Sequence, residues 1–289
     1  MTVLQNKVDF VAIISCKNAN PNGDPLNGNQ PRKNFKGLGE ISDVCIKRKI
    51  RNRLMDMGEN VFVQSDDKKT DEFSSLRERA DANAELKAAE KAKDKDGYSK
   101  VANESWIDVR SFGQVFAFKG EKGSGDGLSV GIRGPVSIQP AFSIDIVDVS
   151  STQITKSVNS ESTDSGKKSS DTMGMKHRVD FGIYLLKGSI NVQLAEKTGF
   201  SEEDAEKIKE ALRTLFFNDC SSARPEGSME IEKLYWWKHN NKLGQYSAAK
   251  VHRSLKITRK EDSDTESIDD YEIKVEDIPG LEYTAYDGL

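Results

Sequence analysis

Val8–Cys16, V-D-F-V-A-I-I-S-C, then Lys17, then Asn18–Phe35, N-A-N-P-N-G-D-P-L-N-G-N-Q-P-R-K-N-F, set the organisation of this chain. In the first segment Val8, Phe10, Ala12 and Ile14 alternate onto one face, and Val11 and Ile13 make the other partly apolar. That alternation predicts a strand, and a strand apolar on both faces is usually central in its sheet. The second segment carries three prolines and two glycines, which exclude regular structure inside it. Its asparagines and Asp24 bond readily to nearby backbone and accept unusual dihedrals. A long polar loop costs conformational entropy, and such loops are more often functional than decorative.

The loop feeds a helix predicted over Ile41–Met57. Ile46, Ile50, Leu54 and Met57 recur at helical spacing as a core stripe, and Gly58 supplies a stop. Lys47, Arg48, Lys49, Arg51 and Arg53 occupy its flanks and outer side. A basic helix face is commonly just solvated; a flexible polar loop running straight into it strengthens the case for phosphate contact.

The chain has 289 residues, of which 36% are hydrophobic and 31% charged. That suits one large domain, or a core domain with solvated insertions. The net charge of −4 conceals an uneven distribution. Residues 1–57 hold ten Lys/Arg against five Asp/Glu, residues 250–260 hold five Lys/Arg, and residues 261–289 hold eleven acids against one lysine. A polyanion groove on one side and protein contacts on another are both compatible with this pattern. No apolar run approaches the roughly 20 residues that cross a bilayer, and Met1–Lys7 lacks the features of a signal peptide. A cytoplasmic location without membrane contact is expected. Cys16, Cys45 and Cys220 lie far apart, and His177, His239 and His252 fit no zinc spacing. The cysteines are expected to be small buried hydrophobes, with no metal site and no cofactor.

Beyond the helix, Ser74–Lys95 is rich in Ala, Glu, Lys and Arg, with Leu76 and Leu86 its only large aliphatics, and predicts a solvated helical insertion. Trp106–Phe118 returns to the core at roughly helical spacing. Arg110 within it either forms a local ion pair or reaches a nucleic-acid backbone. Gly120–Gly134 matches neither dinucleotide nor P-loop patterns and reads as a turn leading into strands. Ser150–Thr172 is polar and lies between extended runs, as the tip of a protruding hairpin would. Met173-Gly174-Met175-Lys176-His177-Arg178 follows it, and its two methionines beside basic groups suit wedging between bases. They could equally pack on the next element. Strands are predicted at Val179–Leu186, Ser189–Leu194, Val251–Ile257 and Tyr271–Val275, a helix after the Ser201 cap, and a core or subunit contact at Tyr235-Trp236-Trp237.

No hydrolase or metalloprotease motif occurs. Asp24 is the best lone catalytic candidate, able to help a metal or water attack RNA; one carboxylate without a second ligand is a weak signal, and an Asx-type turn before Pro25 is the competing reading.

Taken together, N-P-N-G-D-P-x-N-G-N-x-P-R after a strand, D-V-C-I-K-R-K-I-R, W-I-D-V-R-S-F-G, G-P-V and D-F-G-I-Y…G-S-I-N resemble the backbone subunit of the type I-C CRISPR Cascade surveillance complex. The resemblance implies an α+β fold, a modified RRM/ferredoxin-like palm with a helical finger insertion and a β-hairpin thumb. The palm would take residues 1–58, 105–149 and 179–289, the finger 59–104 and the thumb 150–178. It implies a non-catalytic scaffold that stacks head to tail along CRISPR RNA and presents it for pairing with target DNA. Its partners would be the guide, further copies of itself, other Cascade subunits and a recruited helicase-nuclease. Lys17, Asn18, Asn22, Arg32, Lys33, Lys47, Arg48 and Arg51 would hold guide phosphates, with Arg110 as a further backbone contact, and Met173, Met175, Lys176 and His177 would serve the thumb. A metal-dependent ribonuclease using Asp24 is the alternative.

Overall fold

The computed structural model describes residues 2–118, 128–155, 173–261 and 263–289. In chain order the elements are β1 (Val8–Ala19), β2 (Gly23–Asp24), β3 (Gln30–Pro31), β4 (Leu38–Ile41), α1 (Asp43–Asp56), α2 (Leu76–Asp81), α3 (Ala84–Ala92), α4 (Lys95–Ser105) and α5 (Ile107–Phe112). There follow β5 (Gly113–Ala117), β6 (Ser129–Arg133), β7 (Val136–Ile138), β8 (Ala141–Ile146), β9 (Val149–Thr155), β10 (Met173–Ile190), α6 (Val192–Thr198) and α7 (Glu202–Arg213). The chain closes with β11 (Met229–Lys238), α8 (Ala248–Ser254), β12 (Leu255–Arg259), β13 (Tyr271–Val275) and β14 (Tyr283–Asp287).

The fold is mixed α/β around a central antiparallel sheet, ordered β14-β11-β1-β10-β8-β4, with β7 and β9 also on β10. The central position expected of β1 is realised: it pairs with β10 on one side and β11 on the other. Its alternation sorts two cores. Val8, Phe10, Ala12, Ile14 and Cys16 face a large apolar cluster that includes Ile46, Ile50 and Leu54 of α1 and Ile208 and Leu212 of α7. Val11 and Ile13 face a second cluster, built with Ile183, Tyr235 and Trp237 and capped by Val251, Leu255, Tyr271, Ile278 and Leu281. The C-terminal segment therefore covers the second face of the sheet, which holds a packed core there instead of open aromatic side chains.

Several sequence expectations need correction. Lys187-Gly188 does not divide two strands; β10 runs through it, and α6 replaces the end of the expected second strand. Gly188 pairs with Phe10, whose ring occupies the space where a Cβ would stand. Val251–Ile257 begins as α8, capped by the Ser247 side chain, and only its end is strand. Trp106–Phe118 splits into α5 and β5 at Gly113, whose φ of 80° suits glycine. The insertion after α1 is not merely solvated: Phe62, Leu86, Tyr98, Trp106, Phe116 and Val130 bury one another in a third cluster. Phe62 packs with Trp106 and Phe116 at ring separations of 4.6 and 5.0 Å. Cys16 is buried and its thiol pKa is pushed up to about 12 by desolvation, but Cys45 is half-buried and Cys220 exposed. Of the expected hairpin tip Ser150–Thr172 the first residues belong to β9, and of the glycine-dense Gly120–Gly134 the later ones belong to β6; residues 156–172 and 120–127 lie outside the described residues.

Candidate nucleic-acid interface

The opening loop leaves the sheet three residues later than expected, because β1 continues to Ala19. Asn18 sits at φ 55°, a conformation Asn accepts more readily than most residues. The loop is then built by its own polar side chains. The Asn20 amide donates to Asn29 O at 2.7 Å, and Asn22 Oδ1 accepts from Ser42 N and Oγ at 2.9 and 2.8 Å. Ser42 in turn caps α1 by accepting from Cys45 N, so Asn22 ties the loop to the helix N-terminus. Asp24 accepts from Leu26 N at 3.2 Å, and its carboxylate lies 3.3 Å from the Arg32 guanidinium. Its turn-forming role is therefore filled within the loop. Among the described residues no group of three His, Cys, Asp or Glu side chains is placed to hold a metal ion.

The cations of α1 are mostly committed to the protein. Arg48 donates to Val63 O at 2.8 Å, and Arg51 pairs with buried Asp108 at 2.9 Å. Asp108 also accepts from the backbone N–H groups of Phe62 and Val63, so this contact fastens α1 to the insertion. Lys49 is buried against Asp219, and Arg53 donates to Thr214 Oγ1. Burial drives the Lys49 ammonium below its ordinary pKa, with Asp219 opposing the shift. Among the described residues Lys47 is paired only with Asp43 one turn back, at 3.1 Å, a contact worth a few tenths of a kcal/mol. Arg110 makes a bidentate pair with buried Asp204, at 2.8 and 3.0 Å, and its partner lies 94 residues away. The ion pair foreseen for this segment is thus long-range instead of local.

The groups left outward gather at one end of the sheet. Before Val179, β10 is clear of β1 and pairs with β9 as a two-stranded ribbon, with Met173 opposite Thr155 and Val179 opposite Val149. Met173, Met175 and His177 share one face of this ribbon; Lys176 and Arg178 lie on the other. Met173 and Met175 are 63% and 54% exposed, so they do not pack on the next element. His177 Nδ1 is 2.7 Å from Ser151 Oγ. At the root of the ribbon a cleft of about 660 Å³ is lined by Lys17, Asn18, Ile146, Asp148, Arg178, Arg259 and Glu266 among others. Lys17 Nζ donates to Glu266 O at 3.3 Å and lies 3.9 Å from its carboxylate, so the acidic C-terminal segment partly neutralises this end. Lys33 is exposed and takes part in no ion pair among the described residues.

Of the residues that sequence reasoning named, Lys17 and Asn18 line the cleft, Met173, Met175, Lys176 and His177 lie on the ribbon, and Lys33 stands on the loop outside the cleft lining. Sequence reasoning counted Arg178 only as a basic group beside the methionines, and it missed Arg259, which lines the cleft with it, and Glu266, which faces Lys17. It also passed over Phe35 and Lys36, on the turn entering β4; an isolated aromatic between two lysines was the available signal.

The family model of CRISPR-associated protein Cas7 matches residues 6–276. A curated relative, CRISPR-associated protein Cas7 of Haloferax volcanii, is 28% identical over 221 residues, covering 72% of this chain. The chain spans 63% of that relative's length. Among solved structures, a chain of a "CRISPR RNA-guided surveillance complex, pre-nicking" aligns over 80% of this chain and 78% of its own, with a TM-score of 0.48 and 17% identity. A chain of another CRISPR RNA-guided surveillance complex aligns over 80% and 68%, with a TM-score of 0.39 and 17% identity. With a family model matched across nearly its whole length, this chain belongs to the CRISPR-associated protein Cas7 family.

Proposed function

We propose that this protein is a non-catalytic scaffold that binds CRISPR RNA as the repeating backbone subunit of a surveillance complex, of type I-C by its sequence motifs. The observation that carries the reading is the convergence of Lys17, Asn18, the Asn-rich loop and the Met-bearing ribbon at one end of the sheet, in a chain of this family. Copies stack head to tail along the guide, the protein holds the backbone, and base pairing reads target DNA. A helicase-nuclease recruited to the assembled complex completes the partner set.

The strand order β11-β1-β10-β8, with α1 and α7 on one face, supports an RRM/ferredoxin-like palm. The insertion with its own aromatic cluster supports a finger, and the β9–β10 ribbon supports a thumb. Because the other face of the sheet is covered by 248–281, RNA runs along the end of the sheet instead of stacking upon it. Lys17, Asn18, Lys33, Lys47 and Lys176 contact phosphates, while Met173, Met175 and His177 engage bases. Asn22 and Arg32 hold the loop in shape; Arg48, Arg51 and Arg110 hold helices. The ribonuclease alternative gains nothing from Asp24, whose carboxylate is engaged by Leu26 N and Arg32.

The test is binding of fluorescein-labelled single-stranded RNA by the full chain, read by anisotropy over a salt series. Affinity that falls steeply as salt rises is expected; no binding at low salt, even with the other complex subunits supplied, overturns the reading.

A further inference from the structure

Phe35 is an aromatic side chain with no packing role. It is 94% exposed, more than any other aromatic residue among those described. Exposure of a large apolar group on a floppy loop would carry little meaning, but this turn is rigidly made. Asn34 N donates to Leu38 O at 2.9 Å and Gly37 N to Asn34 O at 3.0 Å. Asn34 Oδ1 accepts from Lys36 N and Leu38 N at 2.9 and 3.1 Å. Gly37 takes φ 82°, which lets the chain reverse in so few residues. Its carbonyl accepts from Val147 N at 3.3 Å, anchoring the turn to the strand that leads into the ribbon. Ile146, beside Gly37 and 69% exposed, also lines the cleft that holds Lys17 and Arg178. The Phe35 ring is thus held out on a braced turn, at the border of the proposed RNA path.

The surroundings of the ring are cationic. Lys36 Nζ lies 5.9 Å from the ring centroid. Lys33 and Lys36 take part in no ion pair among the described residues, whereas Arg32 beside them is matched by Asp24. A protein partner seeking apolar area would find the ring and the exposed edge of Ile146 in a rim of Asn and Lys side chains. A nucleotide presents both what the ring accepts, a flat π-face, and what the lysines accept, a phosphate on each side.

We infer that Phe35 is a stacking platform for one nucleobase of the bound single-stranded RNA, with Lys33 and Lys36 holding the flanking phosphates. This deepens the proposed function and rests on it. The contact tolerates any base, since every base has a π-face, and so adds affinity without reading sequence.

The experiment compares the wild-type chain with Phe35→Ala, Phe35→Leu and Phe35→Trp on a uniform fluorescein-labelled RNA and on the same RNA made abasic throughout. Because the side chain is outside every core cluster, all three variants are expected to unfold at the wild-type temperature. Phe35→Ala weakens binding by about ten- to a hundredfold, Phe35→Leu nearly as much, and Phe35→Trp retains it with tryptophan fluorescence quenched by RNA. The abasic RNA binds wild type and Phe35→Ala equally. The slope of affinity against salt stays at the wild-type value in Phe35→Ala and falls in Lys33→Ala/Lys36→Ala. Wild-type binding that Phe35→Ala leaves unchanged overturns this inference alone, and a loss of self-association in its place assigns the ring to a protein contact, which also overturns it. Absence of RNA binding by wild type overturns the proposed function and this inference together.

Discussion

Two basic regions of this molecule have opposite fates. Helix α1 carries the densest run of positive charge in the chain, yet Arg48, Lys49, Arg51 and Arg53 point into contacts with Val63, Asp219, Asp108 and Thr214. The end of the sheet spreads its cations more thinly, over Lys17, Lys33, Lys36, Lys176, Arg178 and Arg259, and those stand in solvent. The difference teaches that a cation's availability depends on which carboxylates and carbonyls the fold brings to it. A count of residue types cannot supply that. In α1 the charge binds helix to insertion and helix to turn; at the sheet end Lys33, Lys36 and Lys176 have no ion pair among the described residues, while Lys17 and Arg178 face Glu266 and Asp180 across exposed contacts.

The comparison breaks most readily at Arg110, a cation of the committed kind. Arg110→Ala leaves Asp204 buried and unpaired and is expected to cost about 3–5 kcal/mol, read as a lowered midpoint in urea unfolding. RNA affinity of the folded fraction should be unchanged; a stable variant that loses RNA binding would move Arg110 to the other class. Of similar or slightly smaller size is Leu86→Ala in the insertion, expected to cost about 2–5 kcal/mol by opening a cavity among Tyr98, Trp106 and Phe116. Hydrogen exchange should quicken in 76–105 before the central sheet; unchanged exchange there would return the insertion to a solvated role.

Acid sharpens the same contrast. Burial alone would raise the Asp204 pKa, but Arg110 and Ser201 hold it below the ordinary carboxylate value. A carboxylate depressed in the folded state contributes stability that is full above its unfolded pKa, around 4, and is lost as pH falls through the folded value. Stability should therefore decline below about pH 4, with a shallower decline in Arg110→Ala. At the sheet end, Met173→Ser/Met175→Ser should weaken RNA binding about tenfold without changing the salt slope. The smallest effect is expected of Glu266→Ala, which removes the carboxylate beside Lys17 and leaves the backbone contact in place. Removing one exposed pair should raise RNA affinity by about two- to fivefold at low salt and by less at high salt.

Local patterns were legible and long-range ones were not. The alternation of Val8–Ile14 placed β1 at the centre of the sheet, and the Ile46–Met57 stripe gave α1, because each is decided by what faces one core. Gly188 looked like a strand break because its reason, the Phe10 ring on the neighbouring strand, is 178 residues away. The insertion looked solvated because its large side chains, Phe62, Tyr98, Trp106 and Phe116, flank the Ala- and Lys-rich window instead of lying within it. Val251–Ile257 is apolar at positions that fit either period, and the Ser247 cap decided for a helical start. At the candidate site, the hairpin was legible from a polar stretch between extended runs, whereas Lys17 came from the family motif alone. That Arg51 and Arg110 belong to Asp108 and Asp204 was not legible, since nothing local pairs them.

The most direct test of the account compares the salt dependence of RNA binding in Lys17→Ala/Lys33→Ala/Lys36→Ala with that of the wild-type chain. Each phosphate contact on a single strand contributes about 0.7 to the slope of log affinity against log salt. The account predicts that the triple variant unfolds like wild type and loses about 2 from that slope. A triple variant that binds RNA with the wild-type slope would contradict the claim that this end of the sheet holds the guide.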